Sequence, residues 1–318
     1  MLKEQRFGIE IEMTGLTRAN AAQALADYFG TTPHHKGGTY DTWTVDDPEG
    51  KTWKLVSDAS ITTEKKIGKG KYTWVYSKEY SVEMVSPILE YAEMPKLQEA
   101  VRQVRHAGAK VNTSCGIHVH VDGANHTPKS LKNLLSIMYA KEDILFKALQ
   151  VDPNRVDYCK KTREDVLMTV RKEKHLTMER LGAIWYGKED WQDCAHQHYN
   201  KSRYHALNLH AMFSKGTVEF RVFNSTLHAG EVKAYVNLCL AISAQAIRQK
   251  NTQLTKTASG NEKFTFRTWL IHLGMNGDEF KTTREHLLKH LDGNSAWRYE
   301  PEHYPTHPQT LAAAAALA

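Results

Sequence analysis

Two histidines and an aspartate alternate with three aliphatic residues in CGIHVHVD, residues 115–122. Period-two alternation predicts a strand with two unlike faces. Ile117, Val119 and Val121 form an apolar face, while His118, His120 and Asp122 form the other. The same design recurs in RFGIEIEM, where Phe7, Ile9, Ile11 and Met13 oppose Gly8, Glu10 and Glu12. It recurs again in GTVEFRVF, where Val218, Phe220 and Val222 share one face and Glu219 and Arg221 the other. In YSVEMVSPILE, Glu83 shares a face with Ser81 and Val85. Glu90 follows Pro87, which must end regular strand pairing.

The wet face of an antiparallel sheet usually carries Thr, Ser, Lys and Glu without order. Here the residues are ligand types. Carboxylates with imidazole suit a hard divalent cation, and a guanidinium suits phosphate. Magnesium prefers oxygen ligands, and one His per metal is also compatible with manganese. Close-packed carboxylates raise one another's pKa unless a cation neutralises them. A magnesium site therefore explains how one face tolerates so many acids. Arg221 beside Glu219 favours phosphoryl chemistry over plain amide hydrolysis.

The elements that must position these residues can be traced along the chain. A helix is predicted from Thr17 as cap to Gly30 as stop. Residues 33–49, rich in Gly, Asp and His, read as a loop, with His34 and His35 lying over the site. TWKLVSDASITT and YSVEMVSPIL read as strands joined by the basic connection KKIGKGK. That connection is either a solvated hairpin tip or a guide for an acidic substrate. Helices are predicted from Pro95 to Gly108 and from Thr127 and Pro128 onward, the latter with Leu131, Leu134, Leu135 and Met138 on its apolar face. Residues 152–200 are charged and read as short helices and a long loop. SRYHALNLHAMF reads as a strand before the turn at Ser214, Lys215 and Gly216, and Glu231 to Gln249 as a helix. Further helices are predicted around Phe266–Leu273 and Thr283–Leu291. The strands and helices do not strictly alternate, so the fold class is α+β with a largely antiparallel sheet.

Composition bounds the function. The 318 residues allow one large domain or two small ones, and 41% hydrophobic content permits a sizeable core. The formal charge of +6 suits anionic ligands such as nucleotides or polyacids. The aromatics are not interleaved with Lys and Arg on any one element, which argues against a nucleic-acid surface. Four scattered cysteines without a CxxC pair fit a reducing compartment. The N-terminus lacks the apolar run of a signal peptide, and no stretch nears the roughly 18 apolar residues of a membrane span. A cytoplasmic protein is expected. Cys194, His196 and His198 lie close together but lack a fourth zinc ligand at recognisable spacing. Cys115, which precedes a glycine at a strand start, reads as a small buried residue and not as a nucleophile.

The ordered set GIEIE, SDAS, EMVSPILE, CGIHVHVD, RYHALNL and GTVEFR resembles the amidoligase family. That family belongs to the carboxylate–amine ligase superfamily of glutamine synthetase and glutamate–cysteine ligase. The resemblance covers roughly Phe7 to Gln249. It implies a curved, largely antiparallel sheet forming a funnel-shaped site, with helices packed on its outer face, as in the glutamine synthetase catalytic domain. It implies ATP and two or three Mg2+ ions, with Mn2+ as a substitute, and a carboxylate and an amine as substrates, a peptide or protein among the candidates. Transferred by resemblance, Glu10, His118 and Glu219 hold the metal that bridges the ATP phosphates. Glu12, Glu83 and Glu90 hold the metal nearer the acyl acceptor. His120 contacts phosphate, Arg221 stabilises the phosphoryl group in flight, Arg203 binds substrate carboxylate or phosphate, and Asp58 positions the amine or a metal-bound water.

The expected organisation is a catalytic domain at 1–250, a helical extension at 251–300 packed on it, and a tail at 301–318 that ends in LAAAAALA. With nine residues or fewer before GIEIE, neither the separate N-terminal domain of glutamine synthetase nor its ring assembly is expected. The reaction implied is amide formation through an acyl phosphate. Two other readings compete. One is a metal-dependent hydrolase using the same Glu/His face without ATP. The other is a non-catalytic nucleotide or nucleic-acid binding module.

Overall fold

A computed structural model describes residues 2–299. Ten strands and ten α-helices are interspersed along these residues. The first six strands are β1 (Phe7–Met13), β2 (His34–Gly37), β3 (Thr42–Asp46), β4 (Thr52–Val56), β5 (Glu64–Gly68) and β6 (Lys71–Trp74). The remainder are β7 (Val82–Val85), β8 (Gly116–Asp122), β9 (Leu207–Asn208) and β10 (Thr217–Asn224). Eight of them form one antiparallel sheet in the order β2-β3-β4-β7-β1-β8-β10-β9, and β5 and β6 form a separate hairpin. The α+β expectation therefore holds.

The three patterned strands β1, β8 and β10 are neighbours at the centre. Their apolar faces meet in register: Ile9 opposes Val119, Ile11 opposes Ile117, and Phe220 opposes Val119. All of these side chains are buried. Full burial of each is worth about 1.5–3 kcal/mol.

Ten α-helices accompany the sheet among the described residues. They include α1 (Arg18–Phe29), α2 (Met94–His106) and α3 (Pro128–Ala148), followed by α4 (Glu164–Lys172), α5 (Met178–Tyr186), α6 (Gln192–Ala195) and α7 (His210–Lys215). The set ends with α8 (Ala229–Arg248), α9 (Glu262–His272) and α10 (Lys281–Leu288). Thr17 caps α1 by accepting from the Asn20 amide at 3.2 Å, and Gly30 ends it in the left-handed conformation. Thr127 and Pro128 open α3 as expected. Helices α3 and α2 pack on α8, and Tyr235 of α8 stacks on Phe223 of β10 with ring centroids 4.4 Å apart.

Phe266, Leu270 and Leu287 of α9 and α10 join the same hydrophobic core, and Asn237 of α8 donates to Thr283 Oγ1 at 2.9 Å. The 251–299 segment thus shares its core with the preceding chain. The expected tail at 301–318 lies outside the described residues. Among the described residues no helix is long and apolar enough to cross a membrane.

Three expectations need correction. The 33–49 loop contains β2 and β3, which pair at the sheet edge, where His34 and His35 are exposed. In SRYHALNLHAMF only Leu207 and Asn208 are strand; α7 begins two residues later. In β10 the alternation breaks: the register shifts between Phe220 and Phe223, so Arg221 and Val222 together stand against the single position His118. Such a bulge is a common way to re-aim a side chain beside a site.

Candidate active site

The face of the sheet opposite the apolar one carries the ionisable residues, and cross-strand register decides which of them meet. Glu10 lies opposite His118, Glu12 opposite Glu83, and Glu219 opposite His120. The loop after β4 brings in Asp58, whose amide donates to Ser81 Oγ at 2.9 Å. The result is a row across the sheet with three overlapping groups: Glu10, His120 and Glu219; Glu10, Glu83 and His118; and Glu12, Asp58 and Glu83. Within each group the ligand atoms lie within 4.8 Å of one another. Glu10 and Glu83 each belong to two groups.

This grouping departs from the set implied by resemblance in two ways. His120, not His118, stands with Glu219. Glu90 does not join the row. It is exposed and caps a single 3-10 turn at Tyr91–Glu93 as part of a capping box. Past Pro87 the chain pairs once more with β1, Leu89 against Phe7, but with the register shifted by one residue, and Asp58 fills the third place beside Glu12 and Glu83.

Hydrogen bonds fix the ligand atoms. Glu12 Oε2 accepts from the Gly116 amide at 2.6 Å. A side chain at Gly116 would run into the buried guanidinium of Arg155, which donates to the Phe223 carbonyl. Glu219 Oε2 accepts from Asn208 Nδ2 at 2.7 Å, and its other oxygen accepts from Arg221 Nη1 at 2.5 Å. His120 Nδ1 lies 3.0 Å from Thr217 Oγ1, and His118 Nδ1 lies 3.1 Å from Glu10 Oε2. Nε2 of His118 and Nε of Arg221 are buried without a hydrogen-bond partner, and Nε2 of His120 is buried facing Glu10 Oε1 at 3.2 Å.

Electrostatics divides the row. Burial would raise Glu10, but the imidazoles of His120 and His118 outweigh it and hold Glu10 well below the usual carboxylate range. Burial would also raise Glu219, but the charge of Arg221 and the nearby histidines lower it to about 2. At the other end the charges of Arg155 and Arg221 are outweighed. Burial and the Asp58 charge push Glu12 up to about 7. Burial with the charges of Glu10, Glu12 and Asp58 pushes Glu83 well above the ordinary range. Burial and the Arg221 charge lower His118 to about 4, so its ring is neutral at pH 7. Burial opposes the charged form of His120, but Glu10 and Glu219 raise its pKa overall.

A neutral His118 beside an ionised Glu10 fixes the tautomer by inference: Nδ1–H donates to Glu10, which leaves a bare lone pair on buried Nε2. Such an atom, facing carboxylates within metal-ligand reach, fits a divalent cation. Glu10, whose Oε1 lies 3.2 Å from His120 Nε2, favours the charged form of that ring.

Arg203 sits at the rim, in a 3-10 turn, where Nη1 donates to the His198 carbonyl at 2.6 Å and the guanidinium lies near the Tyr199 and Tyr204 rings. His198 is in turn lowered by burial and by the charges of Arg203 and Lys215, and it feels Glu10 and Asp58. That coupling places this loop beside the ligand face. Lys215, Asn208, Thr217 and Arg155 were not singled out as site residues by sequence reasoning. Asn208 lay inside RYHALNL without a role, and Lys215 read only as a turn residue, yet its Nζ is 3.7 Å from Glu10 Oε1. Cys115 is buried, with its thiol pushed up to about 11 chiefly by burial, so it is no nucleophile.

Residues 3–243 match the family model described as "Putative amidoligase enzyme". No curated relative matches the chain.

Proposed function

The chain belongs to the amidoligase family, and on that premise we propose that it is an ATP- and magnesium-dependent carboxylate–amine ligase with a glutamine synthetase-like, funnel-shaped site. The observation that carries this reading is the row of three overlapping ligand groups with Arg221 beside it. Glu10, His120 and Glu219 would hold a cation toward the ATP phosphates. Glu10, His118 and Glu83 would hold a second, and Glu12, Asp58 and Glu83 a third nearer the acyl acceptor. Manganese could replace magnesium at the sites with an imidazole. Bound there, the cations supply positive charge against the developing phosphoryl oxyanions.

In the first half-reaction a substrate carboxylate oxygen attacks the γ-phosphorus. The bond to the bridging β–γ oxygen breaks, and ADP leaves. Arg221 stays cationic, and its unpartnered Nε–H is a donor for the phosphoryl group in flight. Its salt bridge to Glu219 holds the guanidinium in place, so little reorganisation is needed. In the second half-reaction an amine attacks the acyl carbon. The carbon–oxygen bond to phosphate breaks, inorganic phosphate leaves, and the amine gives up a proton. Asp58, at that end of the row, orients the amine. Arg203 at the rim receives the substrate carboxylate or phosphate.

Calorimetric titration with a non-hydrolysable ATP analogue, with and without magnesium, tests the reading before the substrates are known. Magnesium-dependent binding that weakens in Glu12→Gln and Glu219→Gln is expected. A screen of carboxylic acids with hydroxylamine as surrogate amine then traps acyl phosphates as hydroxamates. No nucleotide binding in either condition would move the reading to a metal-dependent hydrolase on the same face.

A further inference from the structure

A second concentration of charge lies away from the ligand row, between helices. The start of α3, the end of α4 with the residues after it, and the chain just past α8 enclose a cavity of about 430 Å³. Its lining includes Lys129, Lys132, Arg171, Lys174, Lys250 and His175, and no carboxylate lines it among the described residues. Lys3, Lys51, Lys96, Lys110, Lys147, Lys161, Lys256 and Lys289 each pair with an acid elsewhere in the protein. Lys129, Lys132, Lys174 and Lys250 make no ion pair among the described residues.

Two features make this more than a solvated face. The cations come from three separate segments and converge on a concavity, so their mutual repulsion is built into the tertiary structure. Lys129 and Lys132 also sit at the start of α3, whose first turn holds no acid. That end of a helix carries partial positive charge and normally attracts acidic side chains. The arrangement is unfavourable until an anion enters. The volume falls within the range of small-molecule pockets and exceeds what a lone monovalent ion needs. Arg171 adds a planar, multi-donor group suited to phosphate oxygens, already oriented by its bonds to Ser136 and Thr252.

We propose that this cavity is a binding site for a compact polyphosphate, separate from the proposed ligase site. The site takes a ligand with two or more phosphate groups, inorganic or attached to a small organic body, and needs no divalent cation. The ligand row cannot take over this role in metal-free buffer, because its own carboxylates repel polyphosphate. The inference stands whether or not the ligase reading does.

Metal-free calorimetry with inorganic tripolyphosphate on the full chain tests it. One saturable site per chain is expected, unchanged in Glu12→Gln. Lys174→Glu with Lys250→Glu, both at exposed positions, should weaken binding at least tenfold. Lys65→Glu with Lys71→Glu, on the exposed β5–β6 hairpin, makes the same change in net charge and should leave binding within twofold. Thermal melts of both double variants verify that they fold. A competition arm with ADP distinguishes a nucleotide from an inorganic source: displacement at equal concentration means that the organic body is accepted. Non-saturating binding, or equal loss in both double variants, would show only diffuse surface charge and overturn the proposal. So would capture of an acidic peptide with no tripolyphosphate binding.

Discussion

Glu12 and Glu83 stand directly opposite each other across β1 and β7, two carboxylates with no basic side chain between them. Burial and the Asp58 charge raise the pKa of both, and Glu12 further raises that of Glu83. An acid whose folded pKa lies above its unfolded value weakens the fold as pH rises. For Glu12 that window runs from the ordinary value of 4.5 to about 7. Below it both states are protonated and nothing is lost. Above it the full penalty, on the order of 3 kcal/mol, is present. His118, whose pKa is lowered, has the opposite slope below its ordinary value, so total stability is a poor readout. The difference between wild type and Glu12→Gln isolates the term. Metal-free Glu12→Gln should match wild type near pH 4 and exceed it by a few kcal/mol at pH 8, in urea melts at both values. A constant difference across pH would remove Glu12 from this account.

A cation that binds this end of the row must displace protons. Titration of magnesium or manganese into the protein at pH 6.5 should therefore release protons from Glu83 and Glu12. Calorimetry in two buffers of different ionisation enthalpy measures the release. Binding without it would mean that the cation sits elsewhere.

Arg221 and Glu219 form a buried pair, and removing one partner strands the other charge. Arg221→Ala should cost about 3–5 kcal/mol of stability. The double variant Arg221→Gln with Glu219→Gln should recover most of that loss. It should recover no turnover, because the phosphoryl group still lacks its cation. Denaturant melts beside ADP release separate the two effects, and recovered turnover would take Arg221 out of the chemistry.

Asn208 touches the ligand row only through Glu219. Asn208→Ala should leave the fold within about 1–3 kcal/mol of wild type but weaken metal affinity about 10–100-fold. Asn208→Asp would instead add a repelling charge and should be worse. Unchanged metal affinity in Asn208→Ala would show that Glu219 needs no orientation.

Val119 is fully buried between Ile9 and Phe220 in the register of the central strands. Val119→Asp should cost more than about 4 kcal/mol and yield insoluble protein. A soluble, cooperatively melting variant would overturn the assignment of faces.

Much of this was legible in the chain because period two is a strong signal when one face is buried. Phe7 to Met13 and Ile117 to Val121 were assigned to the correct faces, and so were Glu10, Glu12, His118 and His120. The caps Thr17 and Thr127 marked helix starts through local chemistry. What could not be read was register. Nothing in CGIHVHVD says which histidine meets Glu219; that follows from how β8 slides against β10. The bulge at Arg221 and Val222 leaves only a faint trace, in that the consecutive apolar residues Val222 and Phe223 break the alternation of VEFR. Glu90 was misplaced because a proline stands between it and Glu83, and the path of a chain after a strand ends is set by tertiary packing. β2 was missed because His, Lys and Gly carry little β signal at an exposed edge, and β3, TWTVD, because its few strand-favouring residues stand between two turn-rich stretches, GGTYD and DDPEG.

The central position of β1 has a consequence for synthesis on the ribosome. Its Glu10 meets His118 only after a further 108 residues have emerged, and β10 follows later still. At about 5–20 residues per second, Glu10 waits roughly 5–20 s for its first partner. Throughout that time its carboxylate is solvated like any other. Closure of the sheet concentrates the acids in one late step, so a cation available at that moment would act on the nascent protein as a folding aid before it served any reaction.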